Sequence, residues 1–267
     1  MSQVDHISAI RLRAIPVTGP DALAFMQSQL TIDIESLEES RLYPTAWCNP
    51  DGRVDSVMLI SVSNGAADLV LPEPLVAPII KRARMFSIGR KVTLGDDVVV
   101  TPAGPAHSGE LRPLALATDP DRCLLLGALD DTEHGSESLP DQWIRDDIDS
   151  RLPWLLPETA RRYLPQMLGL EALGGLSYRK GCFPGQEIIA RVHYRGRVTL
   201  RTSRFRLSAE SPPAPGEEFE VGGTRAQVLY AVAEPDHAKA VTGLAVVAAE
   251  TGDEAEIRLG SATGTLF

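Results

Sequence analysis

The chain has 267 residues, of which 43% are hydrophobic and 23% are charged. This is the composition of a globular protein, and it excludes collagen-like chains, intrinsically disordered chains and small disulfide scaffolds. The formal net charge of −10 disfavours a polyanion such as nucleic acid as a partner for the surface as a whole.

Before residue 100 the pattern alternates between strands and helices. Apolar residues predict a strand at 9–17, and Pro20 followed by Asp21 predicts a helix that runs to Leu30. The turn residues Asn-Pro-Asp-Gly at 49–52 separate two apolar runs, which predicts a β-hairpin. The other predicted elements are the hairpin strands at 43–48 and 54–62, a strand at 68–71, a helix over 74–86 with Pro78 in its first turn, and short strands at 92–94 and 98–100.

The middle of the chain contains a linker-like stretch and an acidic block. Pro, Gly and Ala dominate 101–109, and two strands are predicted within 114–129 on either side of a turn at 119–121. Residues 130–149 contain eight acidic residues and one basic residue, which is typical of a solvated loop leading into a helix. That helix is predicted to begin within 143–148.

After Arg197 the pattern changes to short strands separated by turns. Such spacing without helical periodicity predicts a small β-barrel, and we place a domain boundary near Gly196. The two predicted domains are therefore 1–196 and 197–267. The predicted barrel strands are 198–207, 218–221, 226–232, 241–248 and 254–259, with a Gly-Gly turn at 222–223.

The three cysteines, Cys48, Cys123 and Cys182, are odd in number and far apart in sequence. They provide neither a disulfide framework nor a zinc-binding set, so we expect a reducing compartment and no metal site. The first residues lack the apolar core of a signal peptide, and no apolar run approaches the length of a spanning helix. We therefore expect a soluble, cytoplasmic protein that has no membrane partner.

One segment reverses the overall charge. Between Tyr178 and Arg206 there are eight basic residues and a single acid, Glu187, which gives this segment a net charge of +7. Such a segment suits a small anionic ligand, and binding to tRNA is the alternative. The basic residues are Arg179, Lys180, Arg191, Arg195, Arg197, Arg201, Arg204 and Arg206.

Cys182 lies within this segment, in a glycine-rich loop. Nearby cations and a helix predicted to open at Gly185-Gln186-Glu187 would favour its thiolate form, which is a nucleophile or a soft ligand. The alternative is a small buried side chain in a glycine turn. A nucleophilic pair with His193 is also conceivable, although no acid that would orient the imidazole is evident.

The loop belongs to a longer pattern. The string KGCFPGQEIIAR, followed by HYRGR, closely resembles the K-G-C-[YF]-x-G-Q-E motif of the YgfZ family, folate-binding relatives of the glycine cleavage T-protein. Two further strings resemble the same family, TGPDALAFMQSQLTID and WCNPDGRV. The resemblance covers most of the chain up to Gly196.

The resemblance implies an α+β fold with a folate-binding N-terminal region of ferredoxin-like subdomains, an abbreviated middle subdomain at about 101–142, and a C-terminal antiparallel β-barrel. It implies tetrahydrofolate or a one-carbon derivative as the cofactor. It further implies a role in iron-sulfur enzyme maintenance and tRNA modification, with partners such as a tRNA methylthiotransferase.

Site residues follow from matching positions. Trp143 would stack on the pteridine, and the Asp149 carboxylate would accept hydrogen bonds from its amino-oxo edge. Cys182 is predicted to act as a thiol ligand or redox group, with Lys180 as its charge partner and anion anchor. The remaining predicted site residues are Arg179 and Arg191 for the anionic folate tail, Gly181 and Gly185 as backbone-permissive positions, and Gln186 and Glu187 as groups that fix the loop.

The chain departs from the T-protein pattern at the expected catalytic carboxylate. Ser56-Val57 replace the Asp-Asp pair, and Asp55 is shifted by one residue, which points a strand side chain to the opposite face. Leu12 or a neighbour replaces a folate-side tryptophan. We therefore expect an accessory protein without its own turnover, and a tetrahydrofolate-dependent aminomethyltransferase is the alternative.

Overall fold

The computed structural model describes residues 10–104, 111, 113–127, 139–235 and 239–267. The predicted linker beyond residue 104 and most of the acidic block before 139 lie outside the described residues. The α+β region contains β1 (Leu12–Thr18), α1 (Ala22–Gln29), β2 (Arg41–Cys48), β3 (Val54–Ser63), β4 (Ala66–Pro72), α2 (Val76–Phe86), β5 (Thr93–Leu94), β6 (Val98–Ala103), β7 (Leu114–Leu116), β8 (Asp119–Leu126), α3 (Asp141–Asp149) and α4 (Gln186–Arg195).

The eight strands of this region form one sheet in the order β4-β3-β2-β7-β8-β6-β1-β5, and an additional β1–β4 pairing closes it on itself. The pairings are antiparallel except for β2 with β7, which run parallel. Nine of the ten residues of β3 are buried, so this central strand crosses the core. The segment 150–185 then runs without a helix or strand to the start of α4.

The predicted hairpin is confirmed. β2 pairs with β3 from Tyr43↔Ile60 to Cys48↔Val54, with a register irregularity at Trp47/Cys48, and residues 49–52 form the turn. Pro78 lies in the first turn of α2, as predicted, where a missing N–H has no intrahelical acceptor. The helix predicted from Pro20 begins at Ala22 instead, because Asp21 occupies the N-cap and its carboxylate accepts the backbone N–H of Lys91.

Two predictions for the middle of the chain are wrong in detail. Residues 101–103 are not linker but the end of β6, which pairs with β8. Pro102 is tolerated there because β1 pairs with β6 only at Val98 and Val99, so no second strand requires its N–H. The turn predicted at 119–121 lies at 117–118, and the proline at 120 enters near the start of β8.

The predicted C-terminal barrel is present and closed. Its strands are β9 (Leu200–Ser208), β10 (Glu218–Val221), β11 (Thr224–Ala233), β12 (Ala240–Ala248), β13 (Glu256–Leu259) and β14 (Ala262–Leu266), in the order β10-β11-β12-β9-β14-β13. Gly222 and Gly223 both have positive φ, 55° and 78°, which suits a tight hairpin turn. The prediction missed β14, whose short Ala-Thr-Gly-Thr-Leu sequence contains a single large apolar residue.

The barrel shares a core with the rest of the protein. Phe205 and Phe219 pack inside the barrel with ring centroids 5.6 Å apart. Tyr230 and Leu244 instead belong to the large core built on the α+β sheet, and the Tyr230 hydroxyl donates to the carbonyl of Leu152 at 2.6 Å. The α+β class and the barrel thus agree with the prediction, while the ferredoxin-like subdomains remain a prediction.

Candidate functional site

Lys180, which opens the loop 180–187, points into the protein. Its Nζ donates to the carbonyl oxygens of Leu30 and Ile32, both at 2.6 Å, just beyond the C-terminus of α1. Burial lowers the pKa of Lys180 to about 8, and nearby Asp33 partly opposes that effect. The sequence predicted a charge partner for Cys182 and an anion anchor. The structure instead commits the ammonium to internal carbonyls, so Lys180 anchors the loop.

Thr31 adds a second anchor from the same segment. Its Oγ1 donates to the carbonyl of Gly175 at 2.6 Å, and its carbonyl accepts the backbone N–H of Ser177 at 2.9 Å. Thr31 is fully buried, and its Oγ1 also accepts the backbone N–H of Ala46 on β2. The Gln-Leu-Thr-Ile-Asp string at 29–33 therefore holds the chain that leads into the loop 180–187.

The turn at 49–52 provides the third anchor. Gly52 and Gly185 have φ of +74° and +79°, and a Cβ at Gly185 would lie 2.4 Å from the Cα of Gly52. The sequence predicted Gly185 as a position that lets a ligand approach the backbone. In the structure another glycine occupies that space. A Cβ at Gly181, by contrast, meets nothing within 4 Å among the described atoms.

Cys182 lies at the tip of this anchored loop and is exposed, whereas Cys48 and Cys123 are buried. The alternative of a small buried Cys182 is therefore wrong. The predicted helix opening is confirmed, because Gly185 caps α4 and Gln186 begins it. Gln186 Nε2 also reaches the carbonyl of Lys180 at 3.5 Å, so it helps to close the loop, while Glu187 is exposed.

A groove of about 720 Å³ lies between the segment after α1 and the approach to the loop. Asp33, Glu171, Arg179 and Tyr194 are among its lining residues. Tyr178 also lines it and donates its hydroxyl to Glu171 Oε2 at 3.1 Å. Burial, together with Glu171, raises the pKa of Tyr178. The groove combines aromatic faces, carboxylates and one guanidinium.

His193 completes the aromatic wall of the groove. Its ring stacks on Tyr178 with centroids 3.8 Å apart, and its Nδ1 lies 3.7 Å from Glu171 Oε1. This neighbouring acid was not evident in the sequence, because Glu171 is 22 residues away along the chain. These contacts place His193 with Tyr178 and Glu171 rather than in the considered pair with Cys182.

The two residues matched to a pteridine site lie on α3. Trp143 is almost buried, and the guanidinium carbon of Arg122 lies 4.1 Å from its ring centroid. Asp149 accepts a hydrogen bond from Arg204 of β9 at 2.7 Å and lines a separate groove of about 640 Å³ against the barrel. The two grooves share no lining residue, so the structure does not bring Asp149 together with Arg179, and Trp143 lines neither of these grooves.

Asp147 was missed by the sequence reasoning. It is fully buried, and it accepts hydrogen bonds from Arg122 at 2.7 Å and from the indole of Trp154 at 2.8 Å. Burial raises the pKa of Asp147 to about 6, against the opposing effect of Arg122. The prediction of a solvated acidic block is therefore wrong for Asp147. Its place four residues after Trp143 and three after Ile144, on the buried face of α3, was the available signal.

Asp55, the carboxylate shifted from the T-protein position, is also engaged in ion pairs within the protein. It is almost buried and pairs with Arg161 at 2.8 Å and with Arg82 of α2. Arg82 further donates to the carbonyl of Cys48 at 2.8 Å. Ser56 is buried, and its hydroxyl donates to the carbonyl of Val57. Leu12 is a buried core residue. These contacts give Asp55 a structural role.

The basic segment separates into two groups. Arg201, Arg204 and Arg206 pair with Asp253, Asp149 and Glu234 respectively. Arg179, Arg191, Arg195 and Arg197 are exposed and make no ion pair within the described part of the chain. Arg191 does not line the groove, so Arg179 is the predicted folate-tail residue that the structure places there.

No cluster of three or more His, Cys, Asp or Glu side chains among the described residues has the arrangement of a metal site. In the same part of the chain, no helix has both the length and the apolar character required to span a membrane.

No family model matches the chain. Its relationship to known proteins is instead seen in individual sequences and in one solved structure. An uncharacterized protein of Haemophilus influenzae is 30% identical over 231 residues, covering 83% of this chain and 79% of that protein. The tRNA-modifying protein YgfZ of Edwardsiella ictaluri is 28% identical over 241 residues, covering 78% and 72%, and that of Vibrio atlanticus is 27% identical, covering 92% and 84%.

A solved structure shares the fold. The glycine cleavage system aminomethyltransferase T of Bartonella henselae superposes with a TM-score of 0.70 at 13% identity, covering 95% of this chain and 82% of that one. Identity this low carries the fold and not the activity. The family is shown by the sequence relatives. Several of them are YgfZ proteins that match over most of this chain. The chain belongs to the YgfZ family.

Proposed function

We propose that this protein is a folate-binding accessory protein that acts in tRNA modification and in the maintenance of iron-sulfur enzymes. One observation carries the proposal: two separate strings of the chain, 29–33 and 49–52, hold the loop 180–187 while Cys182 remains exposed at its tip. Anchors at Lys180, Thr31 and Gly185 fix the backbone, so the thiol is presented in a defined position. A loop with a purely structural role would not require an exposed thiol.

The groove beside the loop has the chemistry that tetrahydrofolate requires. Asp33 Oδ1 accepts from Gln27, and its other carboxylate oxygen has no hydrogen-bond partner among the described residues, so it can accept the N–H groups of a pteridine edge. Tyr194 offers a ring face, and Arg179 can pair with the carboxylates of the tail. Bound tetrahydrofolate would supply one-carbon units. The assignment to Trp143 and Asp149 is less favourable, because Arg122 and Arg204 already engage them.

Replacement of the thiol tests the function. In cells that lack the native protein, we expect Cys182→Ala to restore much less tRNA methylthiolation than the unaltered chain, at equal protein level by immunoblot. Cys123→Ala, which removes a buried thiol, is the matched control and should restore it. Full restoration by Cys182→Ala would reduce Cys182 to a surface residue and contradict the proposal.

Calorimetric titration with tetrahydrofolate tests the position of the ligand. We expect Arg179→Gln to weaken binding at least tenfold, because it removes the ion pair with the tail. Arg225→Gln, which removes an exposed arginine of the barrel, should leave the affinity unchanged. Loss of binding in Trp143→Phe with full binding in Arg179→Gln would move the ligand to α3, and no binding to the unaltered chain would refute the folate assignment.

Aminomethyl transfer, the activity named for the Bartonella henselae protein of the same fold, is the alternative function. The ion pairs of the buried Asp55 carboxylate with Arg82 and Arg161 count against it, because they leave no free carboxylate at that position. The assay supplies tetrahydrofolate and an aminomethyl-loaded lipoyl carrier and measures ammonia. We expect no ammonia above background, and clear turnover would reverse the order of the two functions.

A further inference from the structure

Four arginines that make no ion pair with the described residues lie beside the Cys182 loop. We call Arg179, Arg191, Arg195 and Arg197, together with Tyr194, the arginine face. The arginines on β9, by contrast, are neutralised by Asp253, Asp149 and Glu234, although they belong to the same basic stretch of sequence. Within this stretch, the described residues therefore leave the positive charge of α4 and its two flanks without an acidic partner.

The geometry of α4 presents this charge to solvent. Ile189 is buried and fixes the inner face of the helix, while Arg191 and Arg195 are exposed. The backbone positions of these two arginines are separated by four residues, about 6 Å along the helix axis. Arg197 follows directly after the helix, and Arg179 reaches the same region because it lines the groove together with Tyr194.

Tyr194 adds an aromatic platform. Its side chain is 69% exposed, and its ring lies edge-on to His193 with centroids 4.7 Å apart. An exposed aromatic ring among arginines is the combination that binds unpaired bases next to a phosphate backbone. The apolar content of the face is low, since Ile188 is the large aliphatic side chain exposed on α4, at 37%. A protein partner would need a larger apolar centre.

We infer that the arginine face binds the phosphate backbone of RNA, with a base stacked on Tyr194. This inference rests on the proposed function in tRNA modification and adds that the RNA itself contacts this protein beside Cys182. Arginine guanidinium groups bind phosphate oxygens in a bidentate way. The acidic partners of Arg201, Arg204 and Arg206 disfavour RNA on the barrel part of this stretch, and the net charge of −10 disfavours binding to the surface as a whole.

Fluorescence anisotropy with labelled bulk tRNA from 50 to 300 mM salt tests the inference. The variant Arg195→Gln/Arg197→Gln removes two arginines that the folate proposal does not use. We expect its affinity to fall at least fivefold and the slope of log K against log salt to decrease by about 2, one per lost phosphate contact. Tyr194→Ala should weaken binding at each salt concentration with little change in slope, because stacking releases no counterions.

The control is Arg225→Gln/Arg258→Gln, which removes the same charge from exposed barrel positions. An equal loss of affinity in this control would show that net charge alone matters and would overturn the inference. No tRNA binding at 50 mM salt would also overturn it, as would equal displacement of tRNA by polyglutamate. Titration of the Arg195→Gln/Arg197→Gln variant with tetrahydrofolate separates the two proposals, because a failure of RNA binding leaves folate binding intact.

Discussion

The loop 180–187 and helix α3 were both expected to contribute to one site, and the structure treats their polar residues in opposite ways. On α3, Asp147 and Asp149 are engaged by Arg122 and Arg204, and Trp143 lies against a guanidinium. Around the loop, Lys180, Thr31 and Gly185 make internal contacts. Cys182 and four arginines, by contrast, are exposed to solvent. A residue with suitable chemistry becomes a candidate for function when no internal partner has already satisfied it.

The largest effect should come from the buried ion pair on the α3 side. Asp147→Ala removes the 2.7 Å carboxylate partner of buried Arg122 and leaves it Asp146 at 3.9 Å and the Trp143 carbonyl, and we expect the free energy of unfolding to fall by about 3–5 kcal/mol. Asp149→Ala, which breaks the exposed pair with Arg204 on the same helix, should cost less than about 1 kcal/mol. Denaturant unfolding measures both. A small loss in Asp147→Ala would contradict a structural role for α3.

Two glycines of the loop 180–187 allow a similar comparison of variants. Gly185→Ala places a Cβ against the backbone of Gly52 at a positive φ, so we expect a loss of about 2–4 kcal/mol. Gly181→Ala, one position before Cys182, meets open space and should change the stability by less than about 0.5 kcal/mol. Thermal unfolding of both variants distinguishes them. Equal effects would refute the contact between the two turns.

Lys180→Met tests the anchor that the sequence assigned to chemistry. It retains the apolar stem but leaves the carbonyls of Leu30 and Ile32 without their donor, and we expect a loss of about 1–3 kcal/mol. Hydrogen exchange should increase mainly between residues 175 and 187. If stability and exchange were unchanged while tetrahydrofolate binding was lost, Lys180 would be a ligand-binding residue after all.

A smaller effect concerns pH. Because burial raises the pKa of Asp147 to about 6, the native state retains a proton that the unfolded chain releases near its ordinary value. The stabilising contribution of that proton is present at low pH and is lost as the pH rises through about 6. Asp147→Asn should remove this component. The difference in unfolding free energy between the two proteins, followed from pH 4 to 7, measures it, and a constant difference would contradict it.

Local signals in the sequence identified much of this protein. The hairpin of β2 and β3, the barrel after Gly196 and the start of α4 follow from turn residues and from periodicity within a few residues. The three strings that resemble the YgfZ family are also continuous stretches of sequence, so they were identified without the structure. Cys182 is exposed, and its chemical role stays a prediction.

Tertiary structure decided how these pieces act together. The bonds from Lys180 to Leu30 and Ile32 span 150 and 148 residues, and Gly52 meets Gly185 across a similar separation. No local pattern encodes such contacts. The basic segment was a single feature of the sequence, but acids from distant parts of the chain neutralised one part of it and left the other free. The sequence supplied the residue types, and long-range pairing selected which of them remain available to a ligand.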